Sequence, residues 1–358
     1  MAFINNLQSL FLSAEPELTN IFGKFIYVLY KGIGNFGWAI VVFTLILKTV
    51  MLPLDIWQRS VMRKNANAMK RMKPQLEKLQ KQCGSDRQAY SQKQMELYKK
   101  EGYSMIGSCI PMIVTMVIFF VIFAGFRKVV TYQNEYTIWK LTETYNEMSV
   151  QKAAIEESGD QAALEEYTKL MDETLIEQYK ENMEGWLWVK NIFMPDSWAD
   201  VVPSKAVYTG NKIGQLGAHI PENLNVNGDY DTLTAPIAAE LNKEKAFDIK
   251  NWNGYLILPI LMLVLNIFQM LLTPQPKPED QPGVSAEQAK QQQTTSKMMQ
   301  FLMPVMMVVF SVLYSSAFSI YMLVSSLFTV TFSAIYTFVT KKIDSKKEDE
   351  RLTYTFKN

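Results

Sequence analysis

The chain is poor in the residues that build disulfide frameworks and metal sites. Its 358 residues include two cysteines, Cys83 and Cys109, and one histidine, His219. Two cysteines cannot form a disulfide framework, and one histidine cannot form a histidine-rich metal site. The common nucleotide-binding, zinc-protease and serine-hydrolase motifs are also missing from the sequence. We therefore expect no metal, no cofactor and no catalytic site, so the protein is not expected to be an enzyme.

Charged residues are missing from two long segments. They make up 20% of the chain, yet none occurs in the 43 residues 298–340 or in the 22 residues 105–126. A soluble globular domain does not leave such gaps, so the sequence predicts a membrane protein. The first twenty residues contain Glu15 and Glu17 but no Lys or Arg. We therefore expect neither a secretory signal nor a mitochondrial presequence in them.

The apolar segments predict five membrane-spanning helices. A bilayer core needs roughly 20 residues of helix, and the uncharged run 298–340 would be about 65 Å long. It must fold back, and Tyr314-Ser315-Ser316 is the best place for the turn. The expected fold is an all-α polytopic membrane protein, a five-span helical bundle with a polar groove, a cytoplasmic helical hairpin and a large extracytoplasmic insert. The predicted order is an outer N-terminal segment (1–35), span 1 (36–57), the hairpin (58–104), span 2 (105–127), the acidic insert (128–252), span 3 (253–273), a cytoplasmic loop (274–296), span 4 (297–314), span 5 (317–340) and a cytoplasmic tail (341–358).

Basic residues predict how these spans are oriented. The segment 57–101 has 12 Lys and Arg against 4 Asp and Glu, whereas the segment 127–252 has 12 against 21. Short loops rich in Lys and Arg stay in the cytoplasm. The hairpin and the tail are therefore expected inside the cell, and the N-terminus and the insert outside.

A break at Cys83-Gly84-Ser85-Asp86 predicts the hairpin, and Pro74 is expected to interrupt or restart its first helix. Six basic residues on it form a candidate contact surface: Arg59, Arg63, Lys64, Lys70, Arg71 and Lys73. Two interpretations of this charge stay open. Composition favours cytoplasmic retention with contact to anionic lipids, and the alternative is contact with ribosomal RNA or a targeting factor.

Two amphipathic helices are expected outside the spans. Residues Glu17–Lys31 are too few to span before span 1 begins, which favours a helix lying on the outer membrane surface. A simple upstream extension of span 1 is the alternative. In the insert, an acidic helix carries an apolar stripe at helical spacing. The stripe consists of Leu164, Tyr167, Met171, Leu175 and Tyr179.

Lys48 is the most informative residue because it lies near the middle of span 1. A charge near the bilayer centre costs about 3 kcal/mol on insertion scales. No other span contains an acidic residue, and Asp55 is two helical turns away, about 10 Å. The ammonium either snorkels to the interface or faces water inside the bundle, and its depth favours the wet cavity. Further candidates for a polar groove, each more often a packing contact, are Thr44, Thr115, Asn266, Gln269 and Ser325.

Several segments resemble the YidC/Oxa/Alb family of membrane protein insertases, of the bacterial YidC type. In chain order they are GWAI (37–40), TLILK (44–48), LPL (52–54), MELYKKEG (95–102), GSCIP (107–111), LWVKN (187–191) with PD (195–196), YLILPI (255–260), MP (303–304) and SIY (319–321). The resemblance implies five core spans around a groove that is open to the cytoplasm and lipid but closed outside. It places Lys48 where the family usually has Arg and Gln269 at the family's span-3 glutamine. It adds Tyr321 to the groove, and Met322 in place of an aromatic residue that commonly follows this Tyr.

The resemblance implies an insertase and chaperone in a bacterial cell membrane, with nascent membrane proteins as clients and no small-molecule substrate. The Sec translocon, the ribosome and the signal recognition pathway are further candidate partners. Two other functions stay open. The first is a small-solute or ion transporter that uses Lys48. The second is a membrane scaffold that binds its partners through the acidic insert. Against a transporter, the two halves show no similarity and five spans do not divide evenly.

Overall fold

The computed structural model describes residues 15–19, 21–84, 86–103, 105–224, 228–242, 248–272, 298, 302 and 305–355. Apart from one isolated bridge between Trp186 and Val189, this part of the chain has helices and loops but no strand. The predicted all-α fold is confirmed. The helices are α1 (Ile21–Ile33), α2 (Phe36–Cys83), α3 (Arg87–Lys100), α4 (Met105–Ser158), α5 (Gln161–Asn182), α6 (Lys205–Thr209), α7 (Tyr230–Leu241), α8 (Ile257–Leu272), α9 (305–313) and α10 (Ser316–Thr355).

The chain divides into two compact units, which we describe separately. The insert unit comprises Met1–Thr44, Ile122–Met262 and Val308–Val324. The hairpin unit comprises Leu45–Val121, Leu263–Met307 and Ser325–Asn358.

Within the part of the chain that the structure describes, the helices long and apolar enough to cross a membrane are α2, residues Met116–Ser158 of α4 and residues Ser316–Ile343 of α10. The apolar helix at Ile257–Leu271 is shorter. The predicted loop 274–296 and residues 1–14 lie outside the described residues, and span 4 is described only in part. The count of five spans and their boundaries stay predictions. The turn expected at Tyr314-Ser315-Ser316 is confirmed, because α9 ends at residue 313 and α10 begins at Ser316.

The expectation that Pro74 interrupts the first hairpin helix is wrong. Helix α2 continues without a break for 48 residues and contains both Pro53 and Pro74. Pro74 itself is exposed, whereas Met72 and Leu76 on either side of it are fully buried. Because proline has no N–H, the backbone carbonyl four residues before Pro74 lacks its helical hydrogen bond, and water can solvate it. The buried side chains of Met72 and Leu76 keep the helix continuous at this point.

The hairpin is a pair of helices with its own small core. Ala68, Met72 and Leu76 of α2 pack against partly buried side chains that include Leu97 and Tyr98. The predicted break is confirmed, because α2 ends at Cys83 and Gly84 has φ +54°. The next helix begins after Asp86, whose side chain accepts hydrogen bonds from the backbone N–H groups of residues 88 and 89. This N-cap satisfies donors that a helix start leaves open.

The insert is built on the continuation of α4, which extends 31 residues past Arg127 to Ser158. The predicted acidic helix is confirmed as α5, with Met171, Leu175 and Tyr179 of its stripe buried. It packs against α7, and much of the later insert is loop with short helical turns.

Helix α1 is separate from α2, so it is not a simple upstream extension of span 1. The break lies at Gly34-Asn35, where Gly34 has φ +78°. Helix α1 buries Gly23 and Ile26 and leaves Ile21 and Val28 exposed. Its position on the membrane surface stays a prediction.

Candidate functional site

Lys48 lies in α2, at the start of the hairpin unit, and its side chain is partly buried. Within the described part of the chain it forms no salt bridge and no side-chain hydrogen bond. Asp55, the nearest acidic residue in sequence on the same helix, is two turns further along. Among the described residues, Lys48 therefore has no salt-bridge partner of the kind that a cation in an apolar segment usually has.

Three more predicted groove residues belong to the same unit. Asn266 and Gln269 lie in α8 and Ser325 lies in α10, and all three are partly buried. The side chain of Thr115, in α4, lies outside the described residues. The assignment of these residues to a groove stays a prediction.

The other predicted groove residues, Thr44, Tyr321 and Met322, belong to the insert unit, where all three are buried. The hydroxyl of Thr44 donates to the carbonyl of Ile40 over 2.7 Å, within its own helix. The ring of Tyr321 lies 5.2 Å from that of Phe126. The Thr44 hydroxyl thus bonds back to its own helix, and the contact of Tyr321 with Phe126 is a packing contact between two helices.

Arg59 makes a contact that the sequence analysis missed. Its guanidinium donates to the hydroxyl of Ser333 over 2.6 Å and lies 5.1 Å and 5.6 Å from the ring centres of Phe332 and Tyr336. All four residues belong to the hairpin unit. Arg59 therefore joins α2 to α10 through one hydrogen bond and two cation–π contacts. Sequence spacing gave no signal for it, because the partners are more than 270 residues away.

The other basic hairpin residues remain candidates for a contact surface. Lys64, Lys70 and Arg71 are exposed, and Arg71 pairs with Glu101 at 3.4 Å. Arg63 and Lys73 are partly buried.

A segment of the insert, residues 184–196, contacts the N-terminal ends of three helices, and we call it the clasp segment. At α2, the carboxylate of Glu184 accepts a hydrogen bond from the backbone N–H of Phe36 over 3.2 Å, and the side chain of Asn35 donates to the carbonyl of Gly185. Glu184 also hydrogen-bonds Tyr30, which raises the pKa of Tyr30 to about 12. A carboxylate at a helix N-terminus is stabilised by the helix dipole.

At α8, the clasp segment supplies a buried acid. Asp196 is fully buried, and its two oxygens accept from the backbone N–H groups of Leu256 (3.1 Å) and Leu258 (2.7 Å). The indole N–H of Trp188 also donates to Asp196 over 3.2 Å. Asn253, just before α8, holds the segment in place by accepting from the backbone N–H of Asn191 over 2.8 Å.

At α10, the clasp segment contributes backbone carbonyls. The N–H of Ser316 donates to the carbonyl of Met194 over 2.9 Å, and that of Ala317 donates to the carbonyl of Ile192 over 2.7 Å. The first N–H groups of a helix have no partner within the helix, so these bonds satisfy them. The clasp segment therefore contacts the starts of α2, α8 and α10.

The described residues include no group of three or more His, Cys, Asp or Glu side chains that could hold a metal ion. The buried carboxylate of Asp196 is occupied by the three hydrogen bonds described above.

Comparison with known proteins gives one family and a set of relatives. The sequence profile of the family described as 60Kd inner membrane protein matches residues 28–346. A protein named membrane protein insertase YidC from Fusobacterium nucleatum is 31% identical over 139 residues, which are 39% of this chain and 61% of the relative. A protein of the same name from Roseobacter denitrificans is 46% identical over 88 residues, which are 25% of this chain and 14% of the relative. Another from Leptospira interrogans is 33% identical over 107 residues, which are 30% of this chain and 16% of the relative. The matched segments thus span less than two thirds of these relatives.

Proposed function

Because the chain belongs to the 60Kd inner membrane protein family, the YidC/Oxa/Alb family that its segments resemble, we propose that it is a membrane protein insertase and chaperone. Its clients are nascent membrane proteins, whose transmembrane segments and short acidic outer regions it moves into the bilayer. The observation that carries the proposal is Lys48, a cation in an apolar helix that forms no salt bridge with any described residue.

Lys48 attracts the acidic region of the client in this mechanism. The Coulomb energy of two charges rises as the dielectric constant falls, so an ammonium in a hydrated groove within the bilayer binds an anionic group more strongly than one in bulk water. The partly buried side chains of Asn266, Gln269 and Ser325 are proposed to line this groove, together with Thr115. They offer hydrogen bonds to the polar backbone of the client as it passes.

The apolar segment of the client then moves into lipid beside α8 and α10. A row of exposed apolar side chains on α8 supports this role for the helix. They are Ile260, Val264, Ile267, Phe268 and Leu271. Transfer of apolar surface out of water yields roughly 25 cal/mol per Å². Burial of the client segment in the bilayer therefore supplies the driving force, and no covalent step is required.

We propose that the insert and the N-terminus face outward from a bacterial cell membrane and that the hairpin and tail lie in the cytoplasm. The 12 basic residues against 4 acidic residues in the segment 57–101 support this orientation. The basic hairpin contacts anionic lipids, and the Sec translocon, the ribosome and the signal recognition pathway are the candidate protein partners.

Growth rescue tests the proposed function. We expect the chain to restore growth of a bacterium depleted of its own insertase, because it would insert the clients that the missing insertase leaves outside the bilayer. Failure to restore growth, with the chain present in the membrane at the level of the native insertase, would contradict the proposal.

Water access at position 48 tests the groove. In a chain with Cys83→Ser and Cys109→Ser, we expect the thiol of Lys48→Cys to react with a water-soluble maleimide in vesicles. The matched control is Val50→Cys, which is two residues further along α2 at a side chain that is 73% exposed and apolar. That thiol should stay unreactive because it faces acyl chains. Equal protection of both thiols would exclude a hydrated groove at Lys48.

A further inference from the structure

A tight turn in the clasp segment holds an exposed leucine in a strained conformation. Trp186 and Val189 exchange two backbone hydrogen bonds of 2.9 Å, so Leu187 and Trp188 form the tip of the turn. Leu187 has φ +53° and is 64% exposed. A left-handed backbone is energetically unfavourable for a bulky L-residue. A leucine side chain exposed to water gains no burial energy that would offset this cost. Both features indicate that this side chain has a role outside the folded core.

Contacts to two membrane helices fix the position of the turn. The ring of Trp186 packs so closely on Gly37 that a Cβ at this position would overlap it. The indole of Trp188 donates to Asp196, which caps the start of α8. The turn therefore lies beside the first residues of both α2 and α8, where these apolar helices begin.

The surroundings of the tip suit the boundary between lipid headgroups and acyl chains. Trp38 is 48% exposed, and its ring lies 5.6 Å from that of Trp186. Indole rings favour this boundary because they combine an apolar face with a polar N–H. Lys190, one residue after the turn, donates to the backbone carbonyl of Lys250 over 2.6 Å, which brings two basic residues to this corner of an acidic insert.

We propose that the turn 186–189 is a lipid-binding wedge, which inserts Leu187 into the leaflet on the side of the insert while Lys190 and Lys250 lie at the level of the lipid phosphates. The occupant of this surface is lipid because the surface continues directly onto the membrane helices. The wedge anchors the clasp segment, and with it the starts of α2, α8 and α10, at a fixed depth. This inference does not depend on the insertase function.

Thiol reactivity measures the depth of the tip. In the chain with Cys83→Ser and Cys109→Ser, reconstituted in phosphatidylcholine–phosphatidylglycerol vesicles, we expect the thiol of Leu187→Cys to react with a water-soluble maleimide at least about 10-fold more slowly than that of Val150→Cys. Val150 is a matched control because it is also apolar and 59% exposed. It lies on α4 about 34 Å beyond Arg127. Both positions are in the insert, so mixed orientation in the vesicles affects them equally. Equal rates would overturn the proposal and leave a protein partner as the occupant.

A second variant tests the wedge without a thiol. Asparagine tolerates the left-handed conformation better than leucine does, so Leu187→Asn keeps the turn while it removes the apolar tip. We expect brominated lipids to quench the intrinsic tryptophan fluorescence less in Leu187→Asn than in the unmodified chain, because Leu187 no longer holds Trp188, its neighbour in the turn, against the acyl chains. Val150→Asn should leave the quenching unchanged. If Leu187→Asn and Val150→Asn gave the same quenching, the turn would not contact lipid.

Discussion

The carboxylate of Asp196 accepts a hydrogen bond from the backbone N–H of Leu258 over 2.7 Å, so a residue of the insert caps the apolar helix α8 from 62 residues away. The start of a helix carries a partial positive charge and several N–H groups without partners. Asp196 is fully buried, and water cannot replace it there. The insert is thus part of the framework that holds the apolar helices α2, α8 and α10.

Removal of this carboxylate should destabilise the protein strongly. Asp196→Ala leaves the N–H groups of Leu256, Leu258 and Trp188 without their acceptor, and we expect a loss of at least about 3 kcal/mol in the free energy of unfolding in detergent. Asp160→Ala is the control, because Asp160 caps α5 at an exposed position. Asp160→Ala should lower the free energy of unfolding by about 1 kcal/mol. Similar losses for the two variants would show that Asp196 does not support α8 as described.

The contact of Arg59 with α10 should require a guanidinium. We expect Arg59→Lys to lower the free energy of unfolding by about 1 kcal/mol, because an ammonium cannot stack on Phe332 and Tyr336 while it bonds Ser333. Lys64→Ala, at an exposed position on the same helix, should have no measurable effect. In a double-mutant cycle, Arg59→Ala and Ser333→Ala should be non-additive. Full additivity would mean that the two side chains do not interact.

The core of the hairpin should depend on Met72. This side chain is fully buried between α2 and α3, so Met72→Ala is expected to cost about 2–5 kcal/mol and to speed amide hydrogen exchange in both helices. Met62 on the same helix is 51% exposed, and Met62→Ala should leave the exchange rates unchanged. Unchanged exchange in Met72→Ala would contradict the packing of the hairpin.

High pH should unfold the insert. Burial raises the pKa of Tyr208 and of Tyr230, and the hydroxyl of Tyr230 donates to the carbonyl of Pro203 over 2.7 Å. In the unfolded chain these tyrosine hydroxyls ionise near pH 10, whereas in the folded chain they keep their protons. Their contribution to the free energy of unfolding is therefore complete below pH 10 and is lost as the pH rises. We expect tyrosinate absorbance to rise cooperatively with loss of helix above pH 10. A gradual rise with the helices intact would contradict the buried state of these rings.

Much of the fold follows from local patterns in the sequence. The uncharged runs predicted the apolar helices, the serine pair at 315–316 predicted the turn before α10, and the stripe on α5 predicted its buried face. Each of these signals lies within a few residues of the feature that it specifies. The prediction of a break at Pro74 is wrong because packing of Met72 and Leu76 against α3 outweighs the local effect of a proline.

The clasp segment could not be predicted from periodicity or charge. The string around Trp188 and Pro195-Asp196 is distinguished only by its resemblance to a family. Nothing in sequence spacing indicates that Asp196 meets Leu258 or that Met194 meets Ser316, because these contacts join parts of the chain that are 62 and 122 residues apart. The same holds for Arg59, which is charged like a typical surface residue but contacts α10.

Insertion of a client that varies only in charge is the most direct test of the role of Lys48. In proteoliposomes, we compare a single-span client with an acidic outer tail and the same client with an uncharged tail. We expect Lys48→Ala to slow insertion of the acidic client at least about 10-fold, because the attraction to its carboxylates is lost, and Lys48→Arg to preserve it. The uncharged client should be inserted equally by all three proteins. Insertion of the acidic client by Lys48→Ala at the unmodified rate would contradict the account.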